Sequence, residues 1–190
     1  MVPGPSFREL VEGVRELPYG RPSDRTVEGM LREGQGTCST KHLFLARELE
    51  RLYPWTDPRI VHRVYTLAPG DALERYGQVV AGTVPAGGVV DVHRYLTVRI
   101  GDRRVVIDAT FPSGDRWDGI SSMPLACGPG EDHPAGSDPD LDKRRLEARY
   151  CDPGVREAFI EALGSSADGG APEGRRYPAR FDAPPDPMQS

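Results

Sequence analysis

Apolar positions recur along this chain with two periods, and the change from one to the other separates helices from strands. Phe7, Leu10, Val11 and Val14 stand at i, i+3, i+4 and i+7, one stripe of an amphipathic helix. Ser6 followed three residues later by Glu9 has the form of a capping box, so a helix is expected over 6–17, stopped by Pro18. A shorter helix is expected within 21–33, capped at Ser23 or Asp24 and broken by Gly34-Gln35-Gly36-Thr37. The clearest helix spans 38–52. Leu45, Leu49 and Leu52 form its stripe, Leu43 and Ala46 widen it, Thr37 or Ser39 caps it, and Pro54 closes it.

The period then shortens to two. Residues 59–67, rich in β-branched and aromatic side chains, read as a strand. Residues 69–88 read as irregular, with a helical turn after Asp71. Residues 89–100 form the best strand, Gly101-Asp102 a two-residue turn, and 103–109 its returning partner. With that turn His93 opposes Thr110 and Tyr95 opposes Asp108. One face of the hairpin carries Val92, Leu96, Val98 and Ile100 with Val105, Ile107 and Ala109, and points to a core. The other carries His93, Tyr95, Thr97 and Arg99 with Arg104, Val106, Asp108 and Thr110. That second face is only half polar, so something covers it, and the helix starting at Cys38 is the natural cover. After Phe111 the pattern weakens. Residues 112–140 read as loop, 140–150 as a charged helix, and Asp152-Pro153 opens a last helix with the stripe Val155, Phe159 and Leu163. The sum is one α+β domain over 1–163. Residues 164–190, rich in Gly, Ser, Ala and Pro, read as a disordered tail.

Composition narrows the function classes. The 190 residues carry 24 Lys plus Arg against 29 Asp plus Glu, a formal net charge of −5, which argues against a nucleic-acid partner. No apolar run is long enough for a membrane span, and residues 1–10 lack the pattern of a signal peptide. Three cysteines are too few and odd in number for a disulfide framework, so a reducing cytoplasm fits best.

The chemistry centres on Cys38. A cysteine at a helix N-terminus gains from the positive end of the helix dipole, which favours its thiolate, and unpaired N–H groups there can hold an oxyanion. By position alone a small buried core residue is the simpler reading, since free Cys is among the most buried types. The hairpin changes the balance. His93 and Asp108 are diagonal neighbours on one face, roughly 7–8 Å apart at the backbone, within reach of each other's side chains. A carboxylate there orients an imidazole, and an imidazole activates a thiol.

Three segments then resemble the motifs of the transglutaminase-like superfamily. Gly36-Thr37-Cys38-Ser39-Thr40-Lys41-His42 is similar to its cysteine motif, His93-Arg94-Tyr95-Leu96-Thr97-Val98 to its histidine strand, and Asp108-Ala109-Thr110-Phe111 to its aspartate motif. Their order, spacing and local structure agree over about Gly34 to Pro112. The C-terminal Arg156-Glu157-Ala158-Phe159-Ile160 looks like the closing helix of some small bacterial members. The resemblance implies a papain-like fold, with the nucleophile helix packed on an antiparallel sheet. It implies Cys38 as nucleophile, His93 as general base and acid, Asp108 as orienter, and acyl transfer through a thioester without a cofactor. The common His-Ala-Trp stands here as His93-Arg94-Tyr95, and Arg94 suggests an unusual exterior. The chain lacks the flanking β-domains of the large animal enzymes, so protein crosslinking is not implied.

Other residues weigh less. Gln35, Tyr95 and Trp117 are candidates for oxyanion or substrate contacts, with a plain loop role the simpler reading for Gln35. Asp91 is a rival orienter by face parity. His42, one turn after Cys38, either approaches the site or, more simply, caps a polar edge; His62 reads as packed or solvated, and His133 as solvent-exposed. No His or Cys pair has zinc-ligand spacing, so no metal is expected. The expected function is cysteine-dependent acyl transfer or hydrolysis on an amide- or acyl-bearing small molecule, peptide or protein. The alternatives are an arylamine N-acetyltransferase-like enzyme, against which Gln35-Gly36-Thr37 lacks that family's Arg-Gly-Gly, and a non-catalytic binding module.

Overall fold

The structure, a computed structural model, describes residues 4–112 and 126–167. Helix α1 (Phe7–Arg15) has the expected capping box. Ser6 Oγ accepts from the Glu9 N–H at 3.3 Å, and the Ser6 N–H donates to the Glu9 carboxylate at 2.8 Å. Helix α2 (Val27–Glu33) is capped by Thr26, whose hydroxyl accepts from the Gly29 N–H at 2.9 Å. Neither expected cap is free for that role. Asp24 accepts from the N–H and hydroxyl of Thr26, and Ser23 is held by Glu33. Helix α3 (Cys38–Leu52) has its expected bounds.

Strands β1 (Arg59–Leu67), β2 (Val89–Ile100) and β3 (Arg103–Ile107) follow in antiparallel pairs. The hairpin register is the expected one, with Ile100 opposite Arg103 and Leu96 opposite Ile107. Strand β3 ends two residues earlier than expected, because Asp108 turns to accept from the N–H and hydroxyl of Thr110. The stretch expected to be irregular forms α4 (Pro69–Tyr76) and α5 (Gln78–Ala81), anchored by buried Ala72 and Val80. Within the expected loop, β4 (Gly130–Pro134) pairs with β1 and gives the sheet order β3-β2-β1-β4. Helices α6 (Pro139–Tyr150) and α7 (Pro153–Ala167) close the described chain. Asp152 caps α7, accepting from the N–H groups of Gly154 and Val155 at 2.9 and 3.0 Å. The helix runs past residue 163, and the rest of the expected tail lies outside the described residues. The described chain is thus α+β, with seven helices and a four-stranded antiparallel sheet.

Two apolar clusters sandwich the sheet. On one face Leu45 and Leu49 of α3 pack with Leu10, Val11 and Val14 of α1 against Leu96, Val98, Ile107 and Ala109. Helix α3 therefore lies on the apolar hairpin face, not on the His93 face expected of it. Burying a Leu or Val side chain gains about 1.5–3 kcal/mol, and only the apolar face can match that stripe. The His93 face is served by the second cluster, where Tyr65, Leu67 and Val89 meet Ala72, Val80, Phe159 and Leu163 of the later helices. Arg94 departs from its expected exterior position. It alternates onto the apolar face and is fully buried there. Among the described residues no helix is long and apolar enough to cross a membrane.

Candidate active site

The entry to α3 is built by two glycines. Gly34 ends α2 with a left-handed φ of 68°. Gly36 lies so close to α2 and α3 that a Cβ would come within 2.7 Å of Met30 Sδ and 2.9 Å of Thr40 Oγ1. Gly36 also stitches this segment to residues 18–20: its N–H donates to the Pro18 carbonyl at 3.0 Å, and its carbonyl accepts from the Gly20 N–H at 3.3 Å. The Thr37 N–H donates to Thr40 Oγ1 at 3.2 Å. Cys38 is thereby fixed as the first residue of α3, 8% exposed.

The structure brings Cys38, His93 and Asp108 together. His93 Nε2 lies 3.0 Å from Asp108 Oδ2, and the imidazole stands near enough to the Cys38 thiol for each to shift the other's ionisation. The carboxylate is itself held on both oxygens. Asp108 Oδ2 accepts from the Ala126 N–H at 2.6 Å, and Oδ1 from the Thr110 N–H at 3.0 Å and its hydroxyl at 2.5 Å. Asp91, the rival orienter, is engaged elsewhere: Arg156 Nε binds it at 2.5 Å and the Tyr65 hydroxyl donates to it at 3.4 Å.

The electrostatics follow from this geometry. Burial pushes the Cys38 thiol up, but the hydrogen bond and charge of His93, helped by Lys143, bring it down to about 7. Burial disfavours the His93 imidazolium, yet the charge and hydrogen bond of Asp108, with the thiolate of Cys38, hold it well above its ordinary value. Asp108 is likewise buried, and His93, His42 and Thr110 hold it well below the usual carboxylate range. Both shifts favour the thiolate of Cys38 and the imidazolium of His93 over their neutral forms. The other two thiols are pushed up by burial, Cys151 to about 11.

The remaining sequence candidates divide. The Tyr95 ring stacks beside His93, centroids 6.4 Å apart at 16°, and its hydroxyl accepts from Arg63 at 3.5 Å. Tyr95 thus walls the imidazole. The Gln35 side-chain amide donates to the Arg21 carbonyl at 3.4 Å. Trp117 lies outside the described residues.

Four residues support the triad in ways the sequence did not show; Lys41 and Tyr19 escaped notice altogether, and His42 and Arg94 were weighed in other roles. His42 Nδ1 donates to the Cys38 carbonyl at 2.9 Å while Nε2 accepts from the Ala109 N–H at 2.8 Å, so one imidazole ties the backbone of Cys38 to the Asp108 segment. Burial brings His42 down to about 4, which keeps it neutral for this double role. Beside it, the buried Lys41 Nζ donates to the carbonyls of Arg15, Leu17 and Thr110 at 3.1, 2.5 and 2.8 Å. Burial lowers Lys41 to about 7, but three carbonyl acceptors are what an ammonium requires. Arg94 binds the Ser39 and Pro139 carbonyls at 2.9 and 2.8 Å, His62 Nε2 at 3.1 Å and Asp140 at 2.7 Å, tying β2 to the starts of α3 and α6. Tyr19 is buried beside Cys38; burial, then the thiolate and Asp91, raise its hydroxyl well above 10, so it stays a donor. His42 alone left a signal, its i+4 spacing from Cys38. His133, expected in a solvated loop, sits in β4 opposite the buried His62.

A cavity of about 210 Å³ opens at Cys38 between the start of α3 and helices α6 and α7, with Tyr19 and Thr37 beside the thiol. No group of His, Cys, Asp and Glu among the described residues could hold a metal ion. Comparison with protein-family models, with curated proteins and with solved structures returns no match.

Proposed function

We propose that this chain is a cysteine-dependent acyltransferase or hydrolase of transglutaminase-like, papain-like type. The observation that carries the reading is the buried His93–Asp108 hydrogen bond beside the Cys38 thiol, which the imidazole helps bring down to about 7. The Cys38 thiolate attacks the carbonyl carbon of an amide or ester. The oxyanion of the tetrahedral intermediate is held by N–H groups of the first turn of α3 and the Tyr19 hydroxyl. His93 then gives its proton to the leaving amine or alkoxide as the carbon–heteroatom bond breaks, and a thioester on Cys38 remains. Water or an amine attacks that thioester, His93 takes the incoming proton, and the thiolate leaves. Asp108 holds the imidazole in orientation throughout.

The test is incubation with p-nitrophenyl acetate followed by intact-protein mass spectrometry. Wild type should carry an acetyl group on Cys38, Cys38→Ser none, and acylation in His93→Gln should slow by about 10²–10⁴. A folded wild-type protein in which Cys38 acylates no faster than Cys151 would overturn the proposal and favour a binding module on this fold.

A further inference from the structure

The cavity at Cys38 has an unbalanced charge. Its walls carry Arg21, Arg25, Lys143, Arg144 and Arg156 against only Asp140 and Glu147, in a chain whose net charge is −5. The carboxylates present are already matched. Asp140 is bound by Arg94, Glu147 by Lys143 and Arg156, and Asp91 by Arg156. Glu157 is in close contact with Arg21, and Arg25 reaches it only at 3.7 Å. Arg144 makes no ion pair among the described residues. Pairing these groups off leaves two guanidinium charges over, those of Arg25 and Arg144, both lining the cavity that reaches Cys38. Guanidinium groups bind carboxylate and phosphate oxygens in pairs of parallel hydrogen bonds.

Resting on the acyl-transfer reading, we infer that the cavity selects substrates whose acyl portion carries an oxyanion group, a carboxylate or a phosphate, seated between Arg25 and Arg144. An apolar acyl chain would find no match for these exposed guanidinium groups, whereas an anion pairs with them near the thiol. The positive walls also raise the local concentration of anionic reactants.

Two alkylating agents of nearly equal size read this directly. Iodoacetate is anionic and iodoacetamide neutral, and the ratio of their rates at Cys38 is compared with the ratio at glutathione. The expected ratio at Cys38 exceeds glutathione's by roughly tenfold, and falls towards it in the Arg25→Gln, Arg144→Gln double variant and at high salt. A ratio no higher than glutathione's, or one unchanged in the double variant, overturns the inference. Inorganic phosphate and succinate are then compared as protectants against iodoacetamide, and the better protectant identifies the oxyanion. Protection by neither at about tens of millimolar counts against the cavity. If neither reagent labels Cys38, the thiol reading itself has failed. Calorimetric titration with inorganic phosphate then reads the cavity alone: saturable binding lost in the double variant supports it, and its absence overturns it.

Discussion

The two halves of α3 obey different rules. Its later half presents Leu45 and Leu49 to an all-apolar cluster in which shape and area are the only currency. Its first half buries Thr40, Lys41 and His42 beside Cys38, each polar group spent on a named partner. Such a polar seam stabilises little in net terms, because desolvation offsets most of each hydrogen bond. What it confers is position. Lys41 and His42 grip the segment 108–110 from adjacent residues, so Cys38 and Asp108 are set relative to one another by one helix turn. The apolar half holds the helix in place; the polar half fixes where Cys38 stands.

Substitutions can break that contrast. Lys41→Met strikes hardest, stranding three buried carbonyls that the ammonium now satisfies, and should cost about 3–5 kcal/mol in urea unfolding while raising the labelling pKa of Cys38. Leu45→Ala should cost a comparable ~2–5 kcal/mol yet leave that labelling pKa where it is. If both variants moved the thiol equally, the division of labour would be wrong. Acid should sharpen the contrast further. The unfolded chain binds protons at His42 and His62 from about pH 6.5, whereas the folded chain does so only near 4 and 3. Stability should therefore fall as pH drops from about 6.5 towards 4, His42 contributing about 3 kcal/mol of the loss, and His42→Gln should flatten the curve. At the other extreme, the exposed Arg8–Glu12 pair on α1 joins neither half, and Arg8→Gln should shift stability by less than ~0.5 kcal/mol.

What could be read in advance follows the same division. The hairpin register came through because a two-residue turn leaves one pairing, and with it came the contact of His93 with Asp108. Apolar stripes located α1, α3 and the last helix. Arg94 was misjudged because its charge argued for solvent, while alternation along β2 already placed it with Val92 and Leu96 on the buried face. Strand β4 was missed because Gly-Glu-Asp-His-Pro has no apolar alternation; it is held by backbone pairing to the edge of β1. Lys41 and Tyr19 were illegible for a different reason. Their partners come from segments far along the chain, and no local pattern announces them.

The central claim is that His93 keeps Cys38 ionised near neutral pH, and iodoacetamide labelling followed against pH by mass spectrometry tests it most directly. Cys38 should reach its half-maximal rate near pH 7, well before Cys151, and should move to about 8.5 or higher in His93→Gln. A Cys38 that titrates alongside Cys151, or that keeps its reactivity in a folded His93→Gln protein, would contradict the account.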